Sequence, residues 1–269
     1  MSKPNALALR IEGRGPLMIW GHALMANMAV DDAAALLDFR LLSKELQLLR
    51  YDARGHGQSP GTYESEDYRW SELASDMLEL ADRHSPDDSV ILGGASMGCA
   101  TALDAALRAP QRTRALVLVL PPTGGEKRIA QRKKYQTIAK AQRLLGNWPY
   151  KLVAKLPLPA PPAHERLKRL SMASIRSLAK ADLKTMNAAL AGAALSDLPD
   201  AKALATLNIP CAILSWEGDD SHPPESAAYL AEHLPDVRLY RVDPMDTIDD
   251  WTFDVLDFID GVLRESQAA

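Results

Sequence analysis

In a chain of 269 residues, the stretch best suited to chemistry is Val90 to Gly98, which reads Val-Ile-Leu-Gly-Gly-Ala-Ser-Met-Gly. An apolar run of strand character, Val90 to Leu92, enters a glycine-rich turn, and a helix-forming run from Cys99 to Leu107 leaves it. Glycines two residues to either side of Ser96 let the backbone reverse sharply and present the serine Oγ at the head of a strand, turn and helix, the setting of a nucleophile elbow. Ser96 is therefore the candidate nucleophile. A serine hydroxyl is a poor nucleophile until a positioned base takes its proton, and such help typically contributes about 10² to 10⁴ in rate. Six histidines could serve, at positions 22, 56, 84, 164, 222 and 233.

The elements that must hold Ser96 appear as alternating runs. Leu7 to Glu12 and Pro16 to Trp20 are short β-like runs joined by Gly13-Arg14-Gly15, which predicts a hairpin. Strand character returns over 46–52, 115–120, 211–216 and 237–242. Helical stripes run from Trp70 to His84, with Leu73, Met77, Leu80 and Ala81 on one face, and from Pro224 to Leu234. A last one runs from Asp249 to Leu263, where Trp251, Val255, Phe258, Ile259 and Val262 share a face. Strands alternating with helices predict an α/β fold built on a mostly parallel sheet covered on both sides. Between Leu120 and Cys211 the alternation stops. Helical signals over 129–145, 164–178 and 181–194, interrupted by a proline-rich break from Pro157 to Pro162, predict a helical cap inserted into the sheet domain. The expected division is a core of 1–120 and 208–269 and a cap of 121–207. Trp148, Met172 and Met186 of the cap are candidate pocket residues, with packing in the core the simpler expectation for each.

Composition bounds the function. Apolar residues at 47% and charged residues at 25% describe an ordinary globular protein of one large domain, or one with an insertion. A formal charge of −4 argues against a general nucleic-acid binder. Met1 to Arg10 lacks the apolar core of a signal peptide, and no run approaches the ~18 apolar residues of a membrane span, so no membrane partner and a cytoplasmic location are expected. Cys99 and Cys211 lie outside any C-x-x-C spacing and read as buried free thiols. Neither metal-ligand spacing nor a phosphate loop appears, so no metal and no cofactor are expected.

The sheet portions resemble the α/β-hydrolase fold superfamily in its serine-nucleophile branch, with Gly94 to Gly98 as the elbow. A serine at that place, rather than an aspartate, argues against the dehalogenase and epoxide-hydrolase branches. Trp20-Gly21-His22-Ala23-Leu24 resembles the family's His-Gly-x turn, with Ala23 where glycine is usual, and implies an oxyanion hole made by Leu24 N–H and Met97 N–H. Tyr51 to Ser59 resembles the family's Asp-x-Arg-Gly-x-Gly-x-Ser turn and implies a structural role, with His56 a turn residue. Ser215-Trp216-Glu217-Gly218-Asp219-Asp220-Ser221-His222-Pro223 resembles the loop that carries the acid. Asp219 or Asp220 would orient an imidazole there, and Asp219 is preferred.

The match departs from the family at the base. The family's histidine follows the last strand, but Asp243 to Ile248 contains none, and no histidine follows His233. His222 lies in the loop that should approach Ser96 from the acid side, with packing before Pro223 as its plainer role. Asp243 or Asp246 could occupy the vacated place, as a weak base unless burial raised a carboxylate pKa from near 4. His22 belongs to bracing of the oxyanion turn, and His84, His164 and His233 to helix ends.

Two functions follow. One is a serine hydrolase acting on a small-molecule ester, lactone or thioester, with Ser96 as nucleophile, Asp219 as acid and a displaced base. The other is a protein of the same shape with impaired hydrolysis that binds a ligand or partner. Charge bears on the substrate, because Thr123 to Gly192 holds 15 Lys and Arg against 3 acids, about +12 there and −16 elsewhere. Solvated helix faces account for this simply; the sharper reading is steering of an anionic substrate or docking on an acidic partner. Steering predicts an on-rate for an anionic ester that falls as salt is added, and an on-rate indifferent to salt contradicts it.

Overall fold

A computed structural model describes residues 6–156, 165–217, 219, 221–242 and 248–268. At its centre lies a seven-stranded sheet. Its strands are β1 (Leu9–Glu12), β2 (Leu17–Gly21), β3 (Gln47–Tyr51), β4 (Val90–Ala95), β5 (Thr113–Val119), β6 (Cys211–Trp216) and β7 (Val237–Val242). They lie in the order β1-β3-β2-β4-β5-β6-β7. β1 runs antiparallel to β3, and the remaining pairings are parallel.

Helices cover both faces, which is why β2, β4 and β6 are buried at every position. Neighbouring residues along a strand point to opposite faces, so Ile19, Leu92 and Leu118 enter one core while Met18, Ile91 and Val117 enter the other. The first core is completed by α3 (Trp70–His84), α4 (Met97–Arg108) and α10 (Pro224–His233), the second by α2 (Phe39–Glu45) and α11 (Trp251–Ala268). The α3 and α11 stripes predicted from spacing are the buried ones.

Between β5 and β6 come α5 (Gly125–Leu145), α6 (Trp148–Val153), α7 (Glu165–Leu178), α8 (Leu183–Leu195) and the short α9 (Ala201–Leu204). This is the expected helical insertion; its proline-rich break at 157–162 and His164 lie outside the described residues. α8 packs on α5, and α7 on α1 (Met28–Ala34), where Asn27 Nδ2 donates to Ser177 Oγ at 2.8 Å. No helix among the described residues is long and apolar enough to cross a membrane.

Three features differ from expectation. The hairpin at Gly13-Arg14-Gly15 is not formed: Leu9 lies opposite Tyr51 and Glu12 opposite Leu48, so β3 separates β1 from β2. The link instead crosses the entry of β3, with φ of 78° at Gly13, where a Cβ would stand 2.1 Å from Ser43 O and 2.2 Å from Leu46 O. Glycine serves that close approach rather than a two-strand turn. Helices α1 and α2, each only seven residues long, have weak periodicity; their signal is the cap, Asn27 accepting from Val30 N–H and Asp38 from Arg40 and Leu41 N–H. Trp148 is 66% exposed, because six-residue α6 buries none of its side chains, whereas Met186 is buried as expected.

The Tyr51–Ser59 turn is held by buried charge. Asp52 accepts N–H groups from Met28 and Gln58, both at 2.8 Å, and Arg54 makes a two-point ion pair with Asp76 of α3, Nε to Oδ2 at 2.7 Å and a second Nη2 to Oδ1 contact. Cys99 and Cys211 are buried free thiols, and burial pushes both thiol pKa values up.

Asp31 of α1 is buried and accepts Trp20 Nε1–H at 3.0 Å. Burial raises its pKa from 3.8 to about 7, with the Trp20 hydrogen bond and the Arg50 charge acting the other way. Because the folded state holds the extra proton, this stabilisation is complete below the unfolded value and is lost as pH rises through about 7. Asp31→Asn keeps an acceptor for Trp20 and removes the ionisation. Urea unfolding should therefore show the variant gaining on the order of 2–4 kcal/mol over the parent at high pH and nothing at low pH. A gain equal at both pH values contradicts the assignment.

Candidate active site

The turn from β4 into α4 is held in a conformation that L-residues rarely adopt, with Ser96 at φ 52° and ψ −105°. Two contacts keep it there. Ser96 N–H donates to Val119 O at 3.0 Å, and the flanking glycines press on the end of β2. A Cβ on Gly98 would stand 2.0 Å from Gly21 O, and one on Gly94 2.6 Å from the same oxygen. Only glycine admits that approach, which brings the Gly21-His22-Ala23-Leu24 turn against the elbow.

Across from the elbow, the loop leaving β6 carries Asp219 and His222. His222 Nε2 lies 2.8 Å from Ser96 Oγ, and His222 Nδ1 lies 2.7 Å from Asp219 Oδ2. An ionised Asp219 can only accept, so Nδ1 carries the proton and Nε2 is left to accept from the serine hydroxyl. Asp219 also accepts from Ser221 N–H at 2.8 Å, His222 N–H at 3.3 Å and Trp216 Nε1–H at 3.1 Å. Burial alone would raise this carboxyl, but the His222 hydrogen bond and charge, then Ser221 and Trp216, outweigh it and hold the group well below the usual carboxylate range. Ser96 Oγ can thus give its proton to His222 Nε2, while Asp219 holds the ring in the accepting tautomer and stabilises the imidazolium.

Among the described residues, His22, His56 and His233 are engaged elsewhere. His22 Nε2 accepts from Ala53 N–H at 2.9 Å, so Nδ1 is protonated and donates to Ala23 O at 2.8 Å. Burial lowers its pKa to about 4, which keeps the ring a neutral brace across the turn. His56 stands with its ring centroid 5.1 Å from that of His22, bonded through Nδ1 to Arg54 O and held neutral by burial with a pKa of about 3. His233 Nδ1 bonds Tyr229 O within α10. Neither Leu24 N–H nor Met97 N–H has a backbone acceptor among the described residues, Met97 because the first N–H of a helix has none.

Of the residues singled out by sequence, Ser96, Asp219 and His222 are brought into contact, and the Leu24 turn is brought against the elbow. Asp220, Asp243 and Asp246 lie outside the described residues. Spacing does not reveal the Trp216 hydrogen bond or the Arg54–Asp76 pair; the first is an i, i+3 contact across a strand end, which no strand or helix period encodes.

A model of the alpha/beta hydrolase fold matches residues 35–246. The 2-(acetamidomethylene)succinate hydrolase of Mesorhizobium japonicum is 34% identical over 116 residues, 42% of this chain. The match spans only 38% of that relative's length. Among solved structures, a thermophilic esterase from Thermogutta terrifontis superposes with a TM-score of 0.75 at 20% identity, covering 95% of this chain and 93% of its own. The enol-lactonase from Burkholderia xenovorans LB400 superposes with a TM-score of 0.72 at 21% identity, covering 94% and 96%.

The glycine contact carries a direct consequence. Gly98→Ala must push α4 away from β2, since the clash is with a backbone carbonyl, and overpacking of this kind typically destabilises by about 1–3 kcal/mol. Denaturant unfolding should show that loss, and a parent-like midpoint contradicts the contact.

Proposed function

This chain belongs to the alpha/beta hydrolase fold family, and from that premise we propose that it is a serine hydrolase acting on an ester, lactone or thioester of a small molecule. The observation that carries the reading is the unbroken relay from Ser96 Oγ through His222 to Asp219, at 2.8 and 2.7 Å. Ser96 Oγ attacks the acyl carbon while its proton passes to His222 Nε2. The carbonyl oxygen, now an anion, is held by Leu24 N–H and Met97 N–H, each donor of this type typically worth about 10² to 10³ in rate. Collapse of the tetrahedral adduct breaks the bond to the leaving group, which takes the proton from the imidazolium. Water then attacks the acyl-enzyme with His222 again as base, releasing the acid and restoring the serine.

In this mechanism Asp219 keeps the imidazole in the tautomer that can accept, and its low pKa keeps it ionised throughout. Acid and base come from one loop, three residues apart, and the loop after β7 contributes no histidine. Residues 121–207 serve as the cap over a core of 1–120 and 208–269, and the positive charge of the cap favours an anionic substrate. An esterase and an enol-lactonase are among the proteins of similar fold, which accords with acyl–oxygen cleavage.

A serine-directed fluorophosphonate tests this. The parent should be labelled and Ser96→Ala not at all. His222→Ala should slow labelling by about 10² to 10⁴, and Asp219→Asn should slow it in the same direction. Labelling of His222→Ala at the parent rate removes that histidine from the mechanism. A parent that takes no label favours the alternative, a ligand-binding protein of the same fold.

A further inference from the structure

We propose that Trp216 is a positioning residue of this site, its indole N–H tying the Asp219–His222 loop to the sheet so that the imidazole stays within reach of Ser96. The inference rests on the serine-hydrolase reading for its importance and on the hydrogen bonds around Asp219 for its substance. Four donors meet this carboxylate: Ser221 N–H and His222 N–H on Oδ1, His222 Nδ1–H and Trp216 Nε1–H on Oδ2. Three of them belong to the same short loop as the carboxylate and move with it. Among the described residues, the indole is the one donor anchored outside that loop.

That anchor is firm. Trp216 is the last residue of β6, pairs with Val242 of β7 and is 5% exposed. Its ring stacks on Trp251 in the first turn of α11, with centroids 6.0 Å apart and planes 28° apart. Because acid and base sit on one loop, the Asp219–His222 bond is internal to it and does not by itself fix Nε2 relative to Ser96. Bonds inside the loop therefore do not set the distance from imidazole to serine; a donor fixed to the strand does.

The indole also competes with the imidazole for Oδ2. Removing it leaves Oδ2 to the imidazole Nδ1–H alone, so that hydrogen bond tightens.

Trp216→Phe keeps a stacked ring and drops the N–H. Replacing the indole by its sulfur isostere, benzothienylalanine, does the same with the full shape retained, should the phenylalanine variant fold poorly. Two readouts are taken. The low-field proton resonance of His222 Nδ1–H, assigned with His222→Ala, should move further downfield in either variant, because Oδ2 loses its competing donor. Fluorophosphonate labelling per folded molecule should slow roughly tenfold or more, as expected for loss of a hydrogen bond to a charged group. A resonance that stays in place or moves upfield, or labelling per folded molecule equal to the parent's, overturns the proposal, whatever happens to the unfolding midpoint. A parent that takes no label faults the hydrolase reading instead, and the Nδ1–H resonance still decides the role of Trp216.

Discussion

The hydrogen bond between Ser96 Oγ and His222 Nε2 joins residues 126 positions apart in the chain, and the architecture around it keeps two loop ends from drifting. Ser96 cannot be relocated by a rotamer change alone, because its position follows from a backbone held at positive φ. That backbone is trapped between the Val119 carbonyl on one side and the Gly21 carbonyl against Gly98 on the other. On the far side, His222 is placed by Asp219, and both ride on the exit from β6, a central strand buried along its whole length. Parallel packing of β4, β5 and β6 therefore does the coarse positioning, and local hydrogen bonds do the rest.

Polar groups buried near the site are tied up so that one histidine is left available. His22 is spent on both nitrogens, spanning from its own turn to Ala53, and burial keeps it neutral. Arg54 is neutralised by Asp76, and Asp52 by backbone N–H groups. An uncompensated charge in such surroundings would cost several kcal/mol, so these pairings matter more for what they prevent than for what each adds. His222 differs from the buried rings in being paired with a carboxylate and partly open, at 22% side-chain exposure. Burial silences His22 and His56 by holding both rings neutral.

Much of this was legible in the residues. The strand, turn and helix at Ser96 announce themselves through glycine spacing, and the faces of α3 and α11 through 3.6-residue periodicity, because those constraints are local. The partner of β1 was not legible. Gly13 and Gly15 signal a tight backbone, but whether the chain folds onto β2 or crosses to β3 is decided by a ladder of partners about 40 residues away, from Glu12 opposite Leu48 to Leu9 opposite Tyr51. The two short helices between β2 and β3 were missed because seven residues hold too few turns to show a period. Trp148 is a related case: a large apolar side chain suggests burial, yet it stands 66% exposed on α6, which buries none of its side chains. In the loop after β6, the residue types at 219 and 222 marked the place, but their meeting with Ser96 depends on the direction in which the loop leaves the strand.

The measurement that bears most directly on the relay is chemical rescue of His222→Ala by free imidazole, followed as adduct formation at position 96. If His222 is the group that takes the Ser96 proton, the variant reacts slowly alone, and added imidazole restores the rate in proportion to its concentration, while Ser96→Ala stays silent at every concentration. Reaction of His222→Ala at the parent rate with no imidazole present would contradict the account.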